Sequence, residues 1–286
     1  MATRLDGFTL RVVVQSLAEL LAGKRVAVLT GAGISTESGI PDYRGPETRR
    51  RARNPVRFAT FTSSPEARAR YWARSLAGWE RFRLARPNAA HAALAALEAA
   101  GIVEGPITQN VDRLHHHAGS RDVIELHGAL AEVRCLECGA REDRDALQAR
   151  MRAENPGLDA RILELAPDGD AEIEVAASFR APSCRVCGGV LKPDVVFFGE
   201  NVPRERVEAA YARVDEADAL LVVGSSLAVF SGYRFVRRAY DRGKPVAIVN
   251  LGESRGDPYA ALRIDARAGE VLPALASALL GTRPSA

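Results

Sequence analysis

The chain has 286 residues, of which 47% are hydrophobic and 26% charged, and its formal net charge at pH 7 is +3. These values are typical of a globular protein with one large domain, or with one large domain and a small satellite. The charge is too small to indicate nucleic acid or an anionic membrane as a dedicated partner, and no apolar stretch approaches the roughly 20 residues that span a bilayer. The N-terminal residues carry charges inside their apolar stretch, unlike a secretory signal. We therefore expect a cytoplasmic, bacterial protein, with a processed organellar form as the alternative, and we favour a monomer.

Four short apolar runs end at polar or glycine-bearing turns, and segments with helical periodicity lie between them. The runs predict strands over 25–30, 105–109, 219–224 and 245–250, and the periodic segments predict helices over 89–100, 203–217, 232–242 and 271–280. This alternation indicates an α/β fold with a doubly wound parallel sheet. Ligands of such sheets bind at the carboxyl ends of the strands, which here carry Gly31, Asn110, Gly224 and Asn250.

The first predicted strand runs directly into the loop Gly31-Ala32-Gly33. Glycine lacks a Cβ and adopts positive φ readily, so closely spaced glycines allow a tight turn that brings backbone N–H groups up to a phosphate. The loop lacks the third glycine of the usual dinucleotide fingerprint. By itself it is compatible with a phosphate site or with a plain strand-to-helix turn.

Residues 46–86 interrupt the alternation with an arginine-rich, helix-like segment that carries six aromatic side chains. A cluster of arginines stands near its start, and we favour a solvated loop over a polyanion site there. The cluster consists of Arg49, Arg50, Arg51, Arg53 and Arg57.

The four cysteines form two CxxC pairs, Cys135 with Cys138 and Cys184 with Cys187, and a glycine directly follows each pair. Four thiolates suit tetrahedral Zn²⁺ and leave no open position, so such a site is structural rather than catalytic. The gap of about 45 residues between the pairs is longer than usual, and an insertion over 142–174 would explain it. Disulfides or free thiols are the alternative; we favour one structural Zn²⁺.

Polar side chains follow the second predicted strand. Gln109, Asn110 and Asp112 suit ribose hydroxyls or an amide better than a phosphate. Further along, His127 stands next to Gly128, and the ordinary pKa of histidine near 6.5 suits a general base, although a lone histidine is also compatible with a structural role. The three histidines at 115–117 indicate a solvated or packed cluster rather than a metal site, because adjacent helical positions do not face one ligand.

A set of motifs between residues 26 and 273 occurs in the order found in sirtuins, so the chain resembles this family of NAD-dependent protein deacylases. The motifs are GAGISTESGIPDYRG, TQNVDRLHHHAG, ELHG, the two CxxC pairs, LKPDVVFFGE, VVGSSLAVFSG and VNLGE. The resemblance implies a Rossmann-like NAD-binding domain (1–45, 87–130 and 190–286), a helical module with a cofactor-binding loop (46–86) and a small zinc-ribbon domain (131–189). NAD⁺ and an acyl-lysine peptide would meet in the cleft between them.

The resemblance also implies individual roles. His127 would be the general base, with Asn110 beside it, in a reaction that yields free lysine, nicotinamide and O-acyl-ADP-ribose. Our hypothesis is that the arginine loop closes over the bound NAD⁺. The residues implied to hold NAD⁺ are Gly31, Ala32, Gly33, Ile40, Asp42, Tyr43, Arg44, Gln109, Asn110, Val111, Asp112, Gly224, Ser225, Ser226, Asn250, Leu251, Gly252 and Ala268.

The substrate peptide is expected to add as a strand between 196–200 and 228–232, in contact with Val196, Phe197, Phe198 and Gly199. Tyr71 and Arg74 stand three residues apart on a probable helix, hence on one face. They resemble the Tyr-x-x-Arg pair with which some sirtuins hold acidic acyl groups, and an amphipathic helix without this function is the alternative. The motifs YWAR and GSSLAVFSGYRF more closely resemble those of class II sirtuins, which include the weakly deacetylating mitochondrial sirtuin.

Two other functions remain open from the sequence. Mono-ADP-ribosyl transfer to protein would use the same electrophilic ribose carbon of NAD⁺ with a different nucleophile. A zinc-ribbon binding module with a decayed NAD pocket would be non-enzymatic, and the intact His127, Asn110 and Asp112 argue against it.

Overall fold

The computed structural model of the protein describes residues 5–45, 55–156 and 179–281. Arg49, Arg50, Arg51 and Arg53, together with the greater part of the predicted insertion over 142–174, lie outside these residues. The closure of the arginine loop over NAD⁺ therefore stays a prediction.

Nine strands occur in the described part of the chain. They are β1 (Val26–Thr30), β2 (Ile107–Thr108), β3 (Ile124–Glu125), β4 (Gly128–Cys135), β5 (Arg141–Asp143), β6 (Leu191–Val195), β7 (Ala219–Val223), β8 (Val246–Val249) and β9 (Leu262–Ile264). The α-helices described are α1 (Gly7–Leu21), α2 (Phe58–Ser63), α3 (Pro65–Arg83), α4 (Ala89–Ala99), α5 (Leu114–His117), α6 (Arg144–Glu154), α7 (Arg204–Glu216), α8 (Phe230–Asp241) and α9 (Ala268–Gly281). Short 3₁₀ helices span Ala32–Ser38 and Asp257–Tyr259.

The central sheet contains six parallel strands in the order β3-β2-β1-β7-β8-β9. Alternate residues of its strands point to opposite faces, and each face has its own layer of helices. Val26 and Val28 pack with α1, α4 and α9, whereas Ala27 and Leu29 pack with α7 and α8. Because both faces are covered, the strands are apolar without interruption. The predicted doubly wound α/β fold is confirmed.

The predicted elements correspond to β1, β2, β7 and β8 and to α4, α7, α8 and α9, with ends displaced by at most three residues. Asn88 explains the start of α4, because its side chain accepts the N–H of Ala90 at 2.9 Å. Gly101, just beyond the helix, has φ +67° and allows the chain to turn away.

A second, antiparallel sheet has the order β5-β4-β6. Its apolar side belongs to a cluster that combines Phe61 and Trp72 of the helical segment with Val133 and Leu147 of the cysteine segment. The buried Arg144 of α6 reinforces this contact, since its guanidinium donates to Ser75 and Gln148 and lies 4.8 Å from the ring centroid of Trp79.

The helical and cysteine segments therefore share one core, and the small sheet extends to Gly128 and Val195, outside the predicted bounds 131–189. The division into three domains remains a prediction. No helix within the described ranges is both long and apolar enough to cross a membrane.

Candidate active site

The carboxyl ends of β1, β2, β7 and β8 lie side by side, because these strands are neighbours in one parallel sheet. Four predicted site segments follow these ends, namely 31–33, 109–112, 224–226 and 250–252. The sheet thus brings together segments that are up to about 220 residues apart in sequence.

The two glycine-bearing loops contact each other backbone to backbone. The N–H of Gly33 donates to the carbonyl of Gly224 at 2.8 Å, and the N–H of Gly31 donates to Val223 at 3.0 Å. A Cβ on Gly33 would lie 2.9 Å from the Cα of Gly224, which itself has φ +61°. Two amides that the sequence pattern offers to a phosphate are therefore already bonded inside the protein. These glycines act first by letting the loops approach, and their contact with NAD⁺ remains a prediction.

A chain of hydrogen bonds connects the predicted ribose-pocket residues. The side-chain amide of Asn110 donates to the hydroxyl of Ser35 at 3.0 Å, and this hydroxyl donates to the Asp112 carboxylate at 2.7 Å. The carboxylate also accepts the N–H of Leu114 at 2.9 Å. Burial raises the pKa of Asp112, and these bonds oppose that rise. Ser35 lies within the GAGIS motif but was not among the predicted site residues.

The side chain of Gln109 connects segment 109–112 to segment 224–226. Its side-chain nitrogen donates to the hydroxyl of Ser225 at 2.8 Å and to the carbonyl of Thr30 at 3.3 Å. A Cβ on Gly232 would lie 2.4 Å from the Gln109 oxygen, so a side chain at this position would displace the end of the Gln109 side chain from its present place.

The other residues implied to hold NAD⁺ surround this edge of the sheet. Ile40 is buried, Arg44 is exposed, and Tyr43 packs edge-on against Phe198 with ring centroids 6.1 Å apart. The Asp42 carboxylate accepts the N–H of Gly45 at 3.0 Å. The remaining positions are Ala32 and Val111, both half-buried; Ser226, whose carbonyl accepts the N–H of Arg255; Asn250, whose side chain donates to Leu251 and Gly252; and Ala268, the buried first residue of α9.

Both ring nitrogens of His127 have hydrogen-bond partners. Nδ1 lies 2.9 Å from the carbonyl oxygen of Gln109, and Nε2 lies 2.8 Å from the hydroxyl of Ser231. Burial lowers the pKa of His127 to about 4; the bond to Gln109 opposes this shift, while the positive charges of Arg206 and Arg234 add to it. The ring is therefore neutral at pH 7, as a general base must be.

The predicted substrate segment lies directly beside this histidine. The N–H of Val196 donates to the carbonyl of His127 at 2.9 Å, and the ring of Phe197 packs edge-on against Tyr71 with centroids 5.3 Å apart. The carbonyl of Phe198 already accepts the N–H of Phe58 at 3.0 Å. Arg74 lies one helical turn beyond Tyr71 on α3.

Part of the segment 228–232, which was expected to flank the docked peptide, is helical. Residues 230–232 form the first turn of α8, which begins two residues before the predicted start at 232. The extended part of this segment is therefore limited to its start, where Val229 has φ −87° and ψ 139°.

The four cysteines form one cluster whose sulfur atoms all lie within 4.8 Å of one another. All four cysteines are free, and the sulfurs of Cys135 and Cys187 lie 3.5 Å apart and those of Cys138 and Cys184 3.7 Å apart, much longer than an S–S bond. The N–H groups of Val186 and Gly189 point at the sulfurs of Cys184 and Cys187. This donor set fits tetrahedral Zn²⁺ and confirms the predicted structural zinc site.

The three consecutive histidines diverge. His115 is buried, His116 lies 3.4 Å from Glu125, and His117 is exposed. Within the described ranges they do not form a group with metal-binding geometry, which agrees with the predicted packed or solvated cluster.

Comparison with known proteins identifies the family. The family model of the Sir2 family matches residues 31–231. The chain belongs to the Sir2 family of NAD-dependent protein deacetylases. It is 55% identical over 268 residues to NAD-dependent protein deacetylase 1 of Mycobacterium avium (strain 104), covering 92% of this chain and 94% of the relative. It is 52% identical over 266 residues to the NAD-dependent protein deacetylase of Bordetella bronchiseptica, covering 92% and 97%.

Solved Sir2 structures share the fold. One from work on the mechanism and regulation of Sir2 enzymes superimposes with a TM-score of 0.77 at 34% identity, covering 96% of this Sir2 protein and all of the other chain. Another, of a Sir2 enzyme with a p53 peptide and NAD⁺, has a TM-score of 0.76 at 32% identity, covering 94% and 99%. The predicted family, fold, NAD dependence and deacetylase activity of this Sir2 protein are thus confirmed.

Proposed function

We propose that this Sir2 protein removes acyl groups from lysine side chains at the edge of the central sheet, with His127 as the general base. The observation that carries this proposal is the neutral His127 ring, held between Gln109 and Ser231 beside the Asn110–Ser35–Asp112 hydrogen bonds. A neutral imidazole can accept a proton, and its two direct hydrogen-bond partners, a carbonyl and a hydroxyl, are uncharged and do not compete with it for that proton.

The donor set at the strand ends fits NAD⁺. Uncharged side chains, namely Gln109, Asn110 and the serines at 225 and 226, suit ribose hydroxyls and a carboxamide. When bound, NAD⁺ supplies an electrophilic ribose carbon with nicotinamide as the leaving group. The chain's own part is to orient the ribose, to exclude water and to accept a proton at Nε2 of His127.

The acetylated lysine of a peptide would enter beside Phe197. Relatives of known structure include Sir2 bound to acetylated peptide. Here the backbone of the 196–199 segment is joined to the backbone of His127 by the Val196 hydrogen bond, which holds a docked peptide next to the base. We propose that Val196, Phe197, Phe198 and Gly199 contact this peptide.

The experiment for this function separates the two possible acceptors of the ADP-ribose. The protein is incubated with NAD⁺ and an acetyl-lysine peptide, and the products are separated by mass spectrometry. Free lysine peptide with acyl-ADP-ribose in equal amounts supports deacylation. ADP-ribose attached to protein, with the peptide still acetylated, would contradict the proposal and favour ADP-ribosyl transfer.

The acyl preference is the finer part of the proposal. We propose that the enzyme is of the class II type and that Tyr71 and Arg74 contact the acyl group. The motifs YWAR and GSSLAVFSGYRF support the class, and the packing of Tyr71 against Phe197 supports the contact. A charge-assisted bond from Arg74 to an acidic acyl group would contribute about 1.5–3 kcal/mol, or roughly 10- to 150-fold in kcat/KM.

This contact is tested with Arg74→Gln and the neighbouring Arg70→Gln, which removes a charge from the same helix. Arg74→Gln should lower kcat/KM for succinyl and glutaryl peptides by at least tenfold and leave acetyl peptide unchanged. Equal rates for Arg74→Gln and Arg70→Gln on all three peptides would show that Arg74 does not hold the acyl group.

A further inference from the structure

The proton of the His127 ring can be placed from its two partners. A backbone carbonyl has no proton to give, so the ring nitrogen 2.9 Å from the Gln109 carbonyl, Nδ1, carries the N–H. Nε2 then has a single lone pair, which accepts the hydroxyl proton of Ser231 at 2.8 Å. The atom that must act as the base is thus the atom that Ser231 holds in the ligand-free protein.

The fold places Ser231 at this point by two features. Ser231 is the second residue of α8, which begins after the extended residue Val229. Its neighbour Gly232 lets this turn approach Gln109, where any Cβ would lie 2.4 Å from the side-chain oxygen. The same helical turn therefore contacts Gln109 and His127, and Gln109 in turn holds the other ring nitrogen.

We infer that Ser231 is a positioning residue for the general base. Gln109 sets the Nδ1–H tautomer, and the Ser231 hydroxyl donates to the Nε2 lone pair and so fixes the orientation of the ring, until the hydroxyl that the base deprotonates takes its place. The inference rests on the proposed role of His127 and adds a residue to it.

Charged groups from several elements act on the ring. Arg206 of α7 and Arg234 of α8 disfavour the protonated form, and Asp194 of β6 lies 3.6 Å from Arg206. All three remain in a Ser231→Ala variant, which loses only the hydrogen bond to neutral Nε2. Because that bond favours the neutral ring, its loss makes protonation easier and raises the pH at which activity falls on the acid side.

The test compares the wild type with Ser231→Ala and with Ser231→Thr, which keeps a hydroxyl. For Ser231→Ala we expect the acid limb of kcat/KM for deacylation to move up by about 0.5–1 pH unit, the effect of one neutral hydrogen bond, and kcat at the optimum to fall about tenfold. Ser231→Thr should restore both values to within about threefold of the wild type.

Three results would overturn the inference: an unchanged acid limb and kcat in Ser231→Ala, a lower kcat with no shift of the limb, or no rescue in Ser231→Thr. A fully active His127→Ala variant would instead contradict the proposed function itself. Should Ser231→Ala fail to fold, ring-nitrogen NMR of His127 in the ligand-free wild type still decides. An unprotonated Nε2 whose ¹⁵N shift shows an accepted hydrogen bond supports the inference, and an Nε2 that carries the proton or accepts no hydrogen bond contradicts it.

Discussion

The hydroxyl of Thr30, at the end of β1, lies 2.9 Å from Nε2 of the buried His115 ring. The same hydroxyl contacts that of Thr108 at 2.8 Å, and Thr108 in turn accepts the N–H of Asn110 at 3.1 Å. The carbonyl of Thr30 accepts the N–H of Gln109 at 3.0 Å. Through Thr30 and Thr108, His115 therefore supports the ends of β1 and β2, next to Gln109 and Asn110, two of the three predicted ribose-pocket residues.

Replacing His115 by phenylalanine should weaken this support. The ring volume is largely kept, but Thr30 loses a buried partner, which should lower the free energy of unfolding by about 1–3 kcal/mol. The KM for NAD⁺ should rise more than kcat falls, because the change displaces the pocket rather than the base. Urea unfolding and steady-state kinetics measure both effects. The exposed neighbour gives the control His117→Phe, and equal losses in the two variants would contradict the assignment.

Acid should destabilise the protein through its buried histidines, and His91 and His115 add to the effect of His127. Burial lowers the pKa of His91 to about 4 and that of His115 well below its usual value, and their ring centroids lie 5.0 Å apart. Since the unfolded chain binds these protons near pH 6.5 and the folded protein does not, stability is complete above pH 6.5 and is lost as the pH falls towards 4. His91 alone accounts for about 3 kcal/mol. Urea unfolding between pH 4 and 8 measures this loss, and a flat profile in that range would contradict it.

The contact between Gly33 and Gly224 should tolerate no added methyl group. In Gly33→Ala the new Cβ meets backbone 2.9 Å away, and backbone cannot rotate aside as a side chain can. We expect a loss of about 1–3 kcal/mol in unfolding free energy and a several-fold higher KM for NAD⁺. Gly7→Ala is the control, because a Cβ at Gly7 has no atom within 4 Å. Thermal unfolding and NAD⁺ titration of both variants measure these effects. A Gly33→Ala variant with the stability and KM of the Gly7→Ala control would contradict the prediction.

Loss of the metal should destabilise the small sheet, whose strands β4 and β6 are joined by the cysteine cluster. Cys138→Ser removes one of four zinc ligands, so the metal content should fall well below one per chain, and stability should drop by an amount on the order of 4 kcal/mol. Val186→Ala is the control: it alters an exposed residue in the turn between Cys184 and Cys187 and keeps all four ligands. Metal analysis and thermal unfolding report the two quantities. Full metal content in Cys138→Ser would show that the cluster does not require all four thiolates.

Much of this architecture could be predicted from the sequence. The uninterrupted apolar runs of β1, β7 and β8 and the helical periodicity between them are clear in the sequence, and the CxxC spacing indicates the metal cluster directly. By contrast, β3 has two residues and β9 three, too few for any period to appear.

The contacts that hold the site were harder to foresee. Ser231 and His127 are 104 residues apart, and only the packing of α8 against the sheet brings them together. The hydrogen bond from Gly31 to Val223 likewise depends on the pairing of β1 with β7. The sequence offered one signal for Ser231, its place in the motif VVGSSLAVFSG, but nothing in that motif indicates which atom the hydroxyl contacts.

The most direct measurement is the rate at which His127→Ala converts an acetyl-lysine peptide to free lysine in the presence of NAD⁺. His117→Ala, which changes an exposed histidine, serves as the control. If His127 is the general base, its variant should lose at least about 10²-fold in rate at pH 7 and remain folded, while the control stays at the wild-type rate. A folded His127→Ala variant that deacetylates at the wild-type rate would contradict the assignment of the base.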